Sequence, residues 1–334
     1  MIPQWHPDVM TKKLPYLKAR ADLCAAIRGF FNDRGYLEVD TPALQTAPCM
    51  EAHLKAFQTT LIAPDGSESV KYLHTSPEFA MKKLLVGGLP KIFQLAKVFR
   101  NNEGSRWHSP EFSMLEWYQA GMDYEGMMDE TIALLRHVAK DVLRVGDRTC
   151  DAHQDWEKIT VVEALKKYAG VDIAKNLGDL AHIRAAGRET GVHISDHDDW
   201  DNALLKILMD KVEPHLGMGA PTIIYDYPVS MAALSRAKPA DPRFAERFEV
   251  YVCGIELANA FGELTDAKIQ RERFAAEVEL RKKIYGEDYP VDEDFLAAVD
   301  FGLPDASGNA LGFDRLLMLL TGAASIENVQ ALPV

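Results

Sequence analysis

Cysteine is scarce in this sequence: Cys24, Cys49, Cys150 and Cys253 are its only thiols, and they lie far apart with no metal-type spacing. That excludes a disulfide framework and a cysteine-based metal site, and points to reduced thiols in a cytoplasmic protein. Cys24 and Cys253 fall in apolar segments and are expected in the core. No apolar run reaches the roughly 18 residues that a membrane span requires. The opening Met1-Ile2-Pro3-Gln4-Trp5-His6-Pro7 lacks the basic-then-apolar pattern of a secretory signal. Cations are in deficit too: 37 Lys and Arg stand against 50 Asp and Glu, a formal net charge of −13. Nucleic-acid binders usually carry a basic face, so this balance argues against a large polyanionic partner. A cationic substrate or a basic protein surface fits it better. There is no internal repeat, low-complexity tract or Pro/Ser-rich linker, and the chain reads as one domain.

What is present is enough apolar matter for a sizeable core: 47% of 334 residues. Residues 12–34 carry Leu23, Cys24, Ile27, Phe30 and Phe31 at helical spacing, with Gly35 placed to end the helix. Leu37 to Pro42 reads as a short strand closed by proline. This helix–strand–proline unit packs either on its own core or on a dimer partner. A hairpin is expected from 53–63 and 70–74 around Pro64-Asp65-Gly66. Thr75-Ser76-Pro77-Glu78 opens a helix, with Ser76 as cap and Pro77 in first position. Further strands are expected at 91–99, 111–120, 222–226 and 248–258. Helices are expected near 124–144, 160–168, 200–213, 266–284 and 313–321. Antiparallel hairpins with interspersed helices imply an α+β fold rather than a doubly wound parallel sheet.

Two stretches carry the chemistry. Phe99-Arg100-Asn101-Asn102-Glu103, running on to Pro110-Glu111-Phe112-Ser113-Met114-Leu115-Glu116-Trp117-Tyr118, reads as strand, polar loop and strand. Gly308-Asn309-Ala310-Leu311-Gly312-Phe313-Asp314-Arg315 reads as a glycine-rich turn feeding a helix. An ATP-activating site needs this equipment: cations for phosphates, a ring for adenine, and backbone clear of side chains. Alternation along a strand puts Phe112, Met114, Glu116 and Tyr118 on one face. A buried acid there needs a partner, either a cationic ligand or a neighbouring arginine. Glu78 at a helix start either joins such a site or only offsets the helix dipole. Glu256 and Glu263 bracket Leu257-Ala258-Asn259-Ala260-Phe261-Gly262. Carboxylates beside a tight turn suit Mg²⁺ shared with phosphates, and the alternative for Glu256 is a solvent-facing strand edge. Three or four inward acids make a pocket for a diamine. Arg100 serves a carboxylate and a phosphate together, or is a surface arginine at a strand end. Arg315 at a helix start opposes the helix dipole, which favours an anionic ligand. His193 and His197 lie four apart among Asp196, Asp198 and Asp199, better read as a solvated acidic loop than as a metal site. Ser76 has no histidine near it in sequence, so a serine hydrolase has no support.

On these motifs the chain resembles the class II aminoacyl-tRNA synthetases of the lysyl type, and more closely the truncated paralogues within that family that join (R)-β-lysine to elongation factor P. The likeness runs from about Leu14 to the C-terminus. It is strongest at 75–118, 244–266 and 302–320. It implies an α+β fold built on an antiparallel sheet flanked by helices, as a single catalytic domain over 1–334. No anticodon-binding domain is expected ahead of Leu14, and Ala310 stands where the synthetases have glycine, as in the paralogues.

The resemblance also implies roles. Gly35 to Pro42 would form a homodimer interface. Arg100 and Arg315 would be catalytic, bridging carboxylate, α-phosphate and nucleotide. Asn101, Asn102, His108, Ser109, Phe112, Glu256, Leu257 and Gly312 would complete the ATP site, with Phe112 stacked on adenine. Ser76, Glu78, Glu116, Tyr118, Asn259, Glu263 and Ala310 would hold the lysine-like substrate, and Glu256 and Glu263 would bind Mg²⁺. Three positions depart from the family pattern: Asn102 for glutamate, Ser109 for asparagine and Ala260 for glycine. The implied reaction is attack of the substrate carboxylate on ATP to give an aminoacyl-adenylate, then transfer to a lysine amine of elongation factor P, with neither tRNA nor membrane as partner. The competing readings are a lysyl-type core that charges tRNA and a non-catalytic regulatory paralogue.

Overall fold

A computed structural model describes residues 2–334. The chain divides into two compact units: the chain up to Asp123 together with Glu263–Val334, and Tyr124–Gly262.

In the first unit a helix spans Pro7–Asp33, starting earlier than its apolar face predicts, because His6 caps it by accepting from the Asp8 amide. Pro15 lies inside it, and the helix ends before Gly35, whose φ of 75° favours a residue without Cβ. Its buried face, Leu23, Ile27, Phe30 and Phe31, meets a sheet: the Phe31 ring stacks on Phe93 with centroids 4.7 Å apart. The strand after it is only Leu37–Glu38, parallel to Lys91–Phe99. Lys91–Phe99 pairs antiparallel with Glu111–Ala120, which pairs antiparallel with Ala306–Gly312. The last of these corrects a sequence expectation. Gly308 to Gly312 is a strand and not a turn, and it runs directly into the helix Phe313–Thr321. A smaller sheet holds Leu44–Gln45, Phe57–Ile62 and Glu68–Leu73, the last two forming the expected hairpin. The helix Glu78–Val86 begins one residue later than the Ser-Pro pattern predicts, and it packs by stacking Phe79 on Phe295 of the Glu293–Gly302 helix at 4.3 Å. The helix Ala267–Tyr285 matches its predicted span closely.

The second unit starts with a helix over Tyr124–Val138, shorter than the predicted 124–144 because the chain then turns into the pair Leu143–Val145 and Arg148–Cys150. Its sheet orders Glu157–Thr160 parallel to Thr222–Pro228, then Phe244–Val252 and Ile255–Gly262, both antiparallel. The single strand expected at 248–258 is therefore two, reversed at Cys253-Gly254, which adopt φ of 56° and 72°. Helical turns at 161–169, 180–190 and 200–212 cover one core of Ile159, Leu165, Ile183, Leu204, Ile224 and Tyr251. The helix at 180–190 carries too few large apolar residues to declare itself by periodicity. The strand pairings are antiparallel apart from one parallel pair in each unit, so the fold is α+β. All four cysteines are free thiols; Cys24 is only half-buried, against expectation, while Cys49, Cys150 and Cys253 are buried.

Candidate active site

The Glu111–Ala120 strand organises the site in the first unit. Its alternation puts Phe112, Met114, Glu116 and Tyr118 on one face, as the sequence predicts. Register sets Ala310 opposite Glu116 and Gly308 opposite Tyr118 on one neighbouring strand, and Gln94 opposite Glu116 on the other.

Glu116 has no exposed surface, and no arginine pairs with it. Two hydroxyls donate to it instead: Ser76 Oγ at 2.6 Å and Tyr118 Oη at 2.9 Å. Burial, reinforced by Glu78, pushes its carboxyl up to about 8, against the pull of those hydroxyls and of Lys82. Burial and the neighbouring carboxylates likewise hold the Tyr118 phenol well above its ordinary value. Ser76 Oγ also accepts from the Glu78 amide at 3.0 Å, so the serine does cap the helix although the helix begins after Pro77.

The central residue of this cluster is one that motif reasoning missed. Lys82 is 1% exposed and its ammonium touches two carboxylates, Glu78 one helical turn earlier and Glu263 at 2.5 Å. Burial alone would lower the Lys82 pKa; the Glu263 and Glu78 carboxylates outweigh that and hold it above the ordinary lysine value. Glu263 is where the chain re-enters the first unit, its amide donating to Ala306 O at 2.9 Å. Beside it lies Gly308. A Cβ at that position would run into the Tyr118 ring and the Glu263 Oε1 atom, so the glycine is required by close approach. To the expected inward acids the structure adds a built-in ammonium, paired with Glu78 and Glu263.

The other half of the site is cationic. Arg100 lies over the Phe112 ring, 5.2 Å from its centroid, and Phe112 and Ala310 each pack against the buried Ala96, Val98 and Met114. Arg100 also donates to Thr75 O at 3.4 Å and faces Glu103 at 3.9 Å. Burial raises the Glu103 carboxyl while Arg100 and Arg315 oppose it. Asn101 donates through its amide to Lys55 O at 2.6 Å. Asn102 has φ 63°, a left-handed conformation that asparagine tolerates better than glutamate does. That is a backbone reason for the departure at this position.

His108 joins the two motifs. Its Nε2 lies 2.6 Å from Arg315 Nη2 and its Nδ1 2.7 Å from Ser105 Oγ. Burial, then Arg315 and Arg100, push its pKa down to about 4, so the imidazole is neutral at physiological pH. Nε2 therefore accepts from Arg315, and Nδ1–H donates to Ser105. Ser109 next to it is buried. Asp314, the residue before Arg315, is buried and held by Arg20 at 2.5 Å and by the Ser113 amide at 2.9 Å. Arg20 further donates to Ser113 Oγ at 2.6 Å and lies over the Phe313 ring. Gly312 caps this helix, and a Cβ there would meet nothing but the Arg315 side chain.

The first unit thus brings together Ser76, Glu78, Glu116, Tyr118 and Glu263, and separately Arg100, His108, Phe112 and Arg315. Glu256, Leu257 and Asn259 lie in the second unit, on Ile255–Gly262. There Glu256 pairs in register with Tyr251, and Asn259 Oδ1 accepts from Arg247 Nε at 3.3 Å. Ala260, on the same strand, is fully buried. Among the described residues no three His, Cys, Asp or Glu side chains are grouped to hold a metal, His193 and His197 included. Lys82 had one legible signal, its i,i+4 spacing from Glu78; Arg20 and Gly308 had none beyond their residue types.

Comparison with known proteins places these motifs. The family model described as tRNA synthetases class II (D, K and N) matches residues 8–334. A protein of Proteus mirabilis named elongation factor P–(R)-β-lysine ligase is 40% identical over 336 residues, covering 100% of this chain and 98% of the relative. Proteins of the same name from Vibrio cholerae and Klebsiella pneumoniae are each 41% identical, covering 98% and 99% of this chain and 97% of each relative.

Proposed function

The chain belongs to the class II tRNA synthetases of the D, K and N group, and from that premise we propose that it activates (R)-β-lysine, or lysine, with ATP and transfers it to a lysine side chain of elongation factor P. The observation that carries this reading is one strand face bearing both halves of the chemistry: Phe112 under Arg100 at one end, Glu116 and Tyr118 in the acid cluster at the other. The names of the relatives, at about two-fifths identity over their whole length, supply the acceptor and the amino acid. The net charge of −13 favours a protein acceptor over tRNA.

In this reading the whole chain, 1–334, is one catalytic domain. Phe112 stacks on the adenine in place of the Arg100 guanidinium it now carries, with Asn101, Asn102, Ser109 and Gly312 around the nucleotide. Arg100 aligns the substrate carboxylate with the α-phosphate. A carboxylate oxygen attacks that phosphorus, the bond to pyrophosphate breaks, and Arg315 steadies the departing charge. Neutral His108 holds the Arg315 fork without competing for the phosphate. Ser76, Glu78, Glu116, Tyr118, Glu263 and Ala310 hold the amines and the carbon chain. A neutral lysine amine of the acceptor then attacks the adenylate carbonyl, AMP departs and the amine sheds its proton.

Mg²⁺ needs oxygen ligands and keeps much of its water and phosphate shell, so few protein carboxylates suffice. Glu256, half-buried on its strand, fits that requirement and would supply one such ligand to an ion that neutralises phosphate charge. Glu263, buried and engaged by Lys82, fits the amine cluster better than a metal. A homodimer built on Gly35–Pro42 and a cytoplasmic location complete the reading.

The test is the intact mass of elongation factor P after incubation with this protein, ATP and (R)-β-lysine. A gain of one lysyl residue is expected. An unchanged mass alongside charged tRNA in a parallel assay overturns the choice of acceptor.

A further inference from the structure

This inference rests on the reading that the acid cluster holds a lysine-like amine. A lysine without exposed surface is expensive unless its charge is matched. Position 82 lies on the buried side of its helix with Phe79, Met81 and Leu85, where an apolar side chain would be the ordinary choice. Instead its ammonium sits between two carboxylates from distant parts of the chain. Glu78 and Glu263 are also the carboxylates assigned to the substrate. With Lys82 absent, they would present two bare charges and could take an ammonium each. With Lys82 in contact with both, the pair presents the equivalent of one.

We propose that Lys82 is a specificity-determining residue: it is an internal counter-ion that halves the charge of the Glu78–Glu263 pair, fixes the two carboxylates in place before substrate arrives, and limits them to a single ligand ammonium. Lys82 stays paired when substrate binds and shares the carboxylates with it. The two carboxylates are then held at the separation that one incoming amine and one fixed amine need. Gly308 supports this by leaving Glu263 Oε1 its place against the Tyr118 ring.

Three measurements test it. In pyrophosphate exchange, Lys82→Met is expected to raise the KM for the amino acid about tenfold, the equivalent of about 1.4 kcal/mol, with ATP affinity within about twofold of wild type. Added methylamine is expected to restore that KM in the variant and to leave wild type unaffected. An unchanged KM, or a rise in the KM for the amino acid matched by an equal loss of ATP affinity with no response to methylamine, overturns the proposal. Should Lys82→Met not fold, Lys82→Met/Glu263→Gln removes one charge of each sign. Its KM is expected to lie below that of Glu263→Gln alone, and a KM equal to or above that of Glu263→Gln overturns the proposal. If wild type supports exchange with no lysine isomer, the functional reading fails. The counter-ion claim is then decided by melting: methylamine raises the Tm of the variant and not of wild type if Lys82 is the counter-ion, and raises neither if it is not.

Discussion

Arg315 donates through Nη2 to Nε2 of His108 across 2.6 Å, and the imidazole that receives it is neutral. One residue comes from the polar loop that follows Arg100, the other from the helix that follows the glycine-containing strand. Their contact is what makes the two sequence motifs one site.

Replacing Arg315 by alanine is therefore expected to lower pyrophosphate exchange by roughly 10²–10³-fold, the scale of losing one preorganised charge donor. His108→Ala leaves the guanidinium in place but unaimed, and a smaller loss is expected. Because burial and the two arginines hold His108 near 4, the rate profile between pH 6 and 8 is expected to keep its shape in His108→Asn. An inflection near pH 6.5 that disappears in that variant would show the histidine titrating in its ordinary range.

Glu116 governs a pH dependence of the free protein. Its carboxyl lies near 8 against an ordinary 4.5, raised by burial and by Glu78. Between those values the folded state keeps a proton that the unfolded chain has released. The stability this contributes is whole below the ordinary value and is lost as pH rises through about 8. Thermal or urea melts from pH 6 to 9 are expected to show a decline on the order of a few kcal/mol. Glu116→Gln should flatten it, and an equal decline in the variant would assign it elsewhere.

Gly308→Ala is expected to destabilise by about 1–3 kcal/mol, the usual scale for overpacking, because the added methyl meets the Tyr118 ring and Glu263. The amino-acid KM should rise with it, and the ATP KM should not. Urea midpoints with both constants measured on one preparation decide this.

Arg20 is far from Arg315 in sequence and touches no proposed substrate atom. Yet it partners Asp314, and removing it leaves a carboxylate buried without its cation. Arg20→Met is expected to cost about 3 kcal/mol of stability, by the measure of broken buried pairs. It should also raise the ATP KM more than the amino-acid KM. Equal rises in the two would make Arg20 a scaffold residue only.

Much of this was legible in the chain itself. The strands at 91–99 and 111–120 and the helix at 313–321 fall where alternation and periodicity put them. Arg100 with Phe112 and the acids of 78, 116 and 263 could be singled out as residue types in strand and helix context. What escaped were features that exist only once distant segments meet. Lys82 offers only its i,i+4 spacing from Glu78, because its second partner, Glu263, is far along the chain. Gly308 resembled a turn glycine, since no pattern reports that a ring on the next strand needs its space. The reversal at Cys253-Gly254 was hidden because a cysteine in the left-handed region is rare enough for an unbroken strand to be the natural reading.

Two positions on the Ala306–Gly312 strand differ in how much evolutionary freedom they have. Residues 308 and 310 point the same way, yet 308 has no room for a carbon and 310 already carries one, packed against the cluster of Ala96, Val98 and Met114. On the function proposed above, drift in substrate choice along this edge would be channelled into residue 310. A lineage shifting between lysine isomers is expected to record the change there while 308 stays fixed.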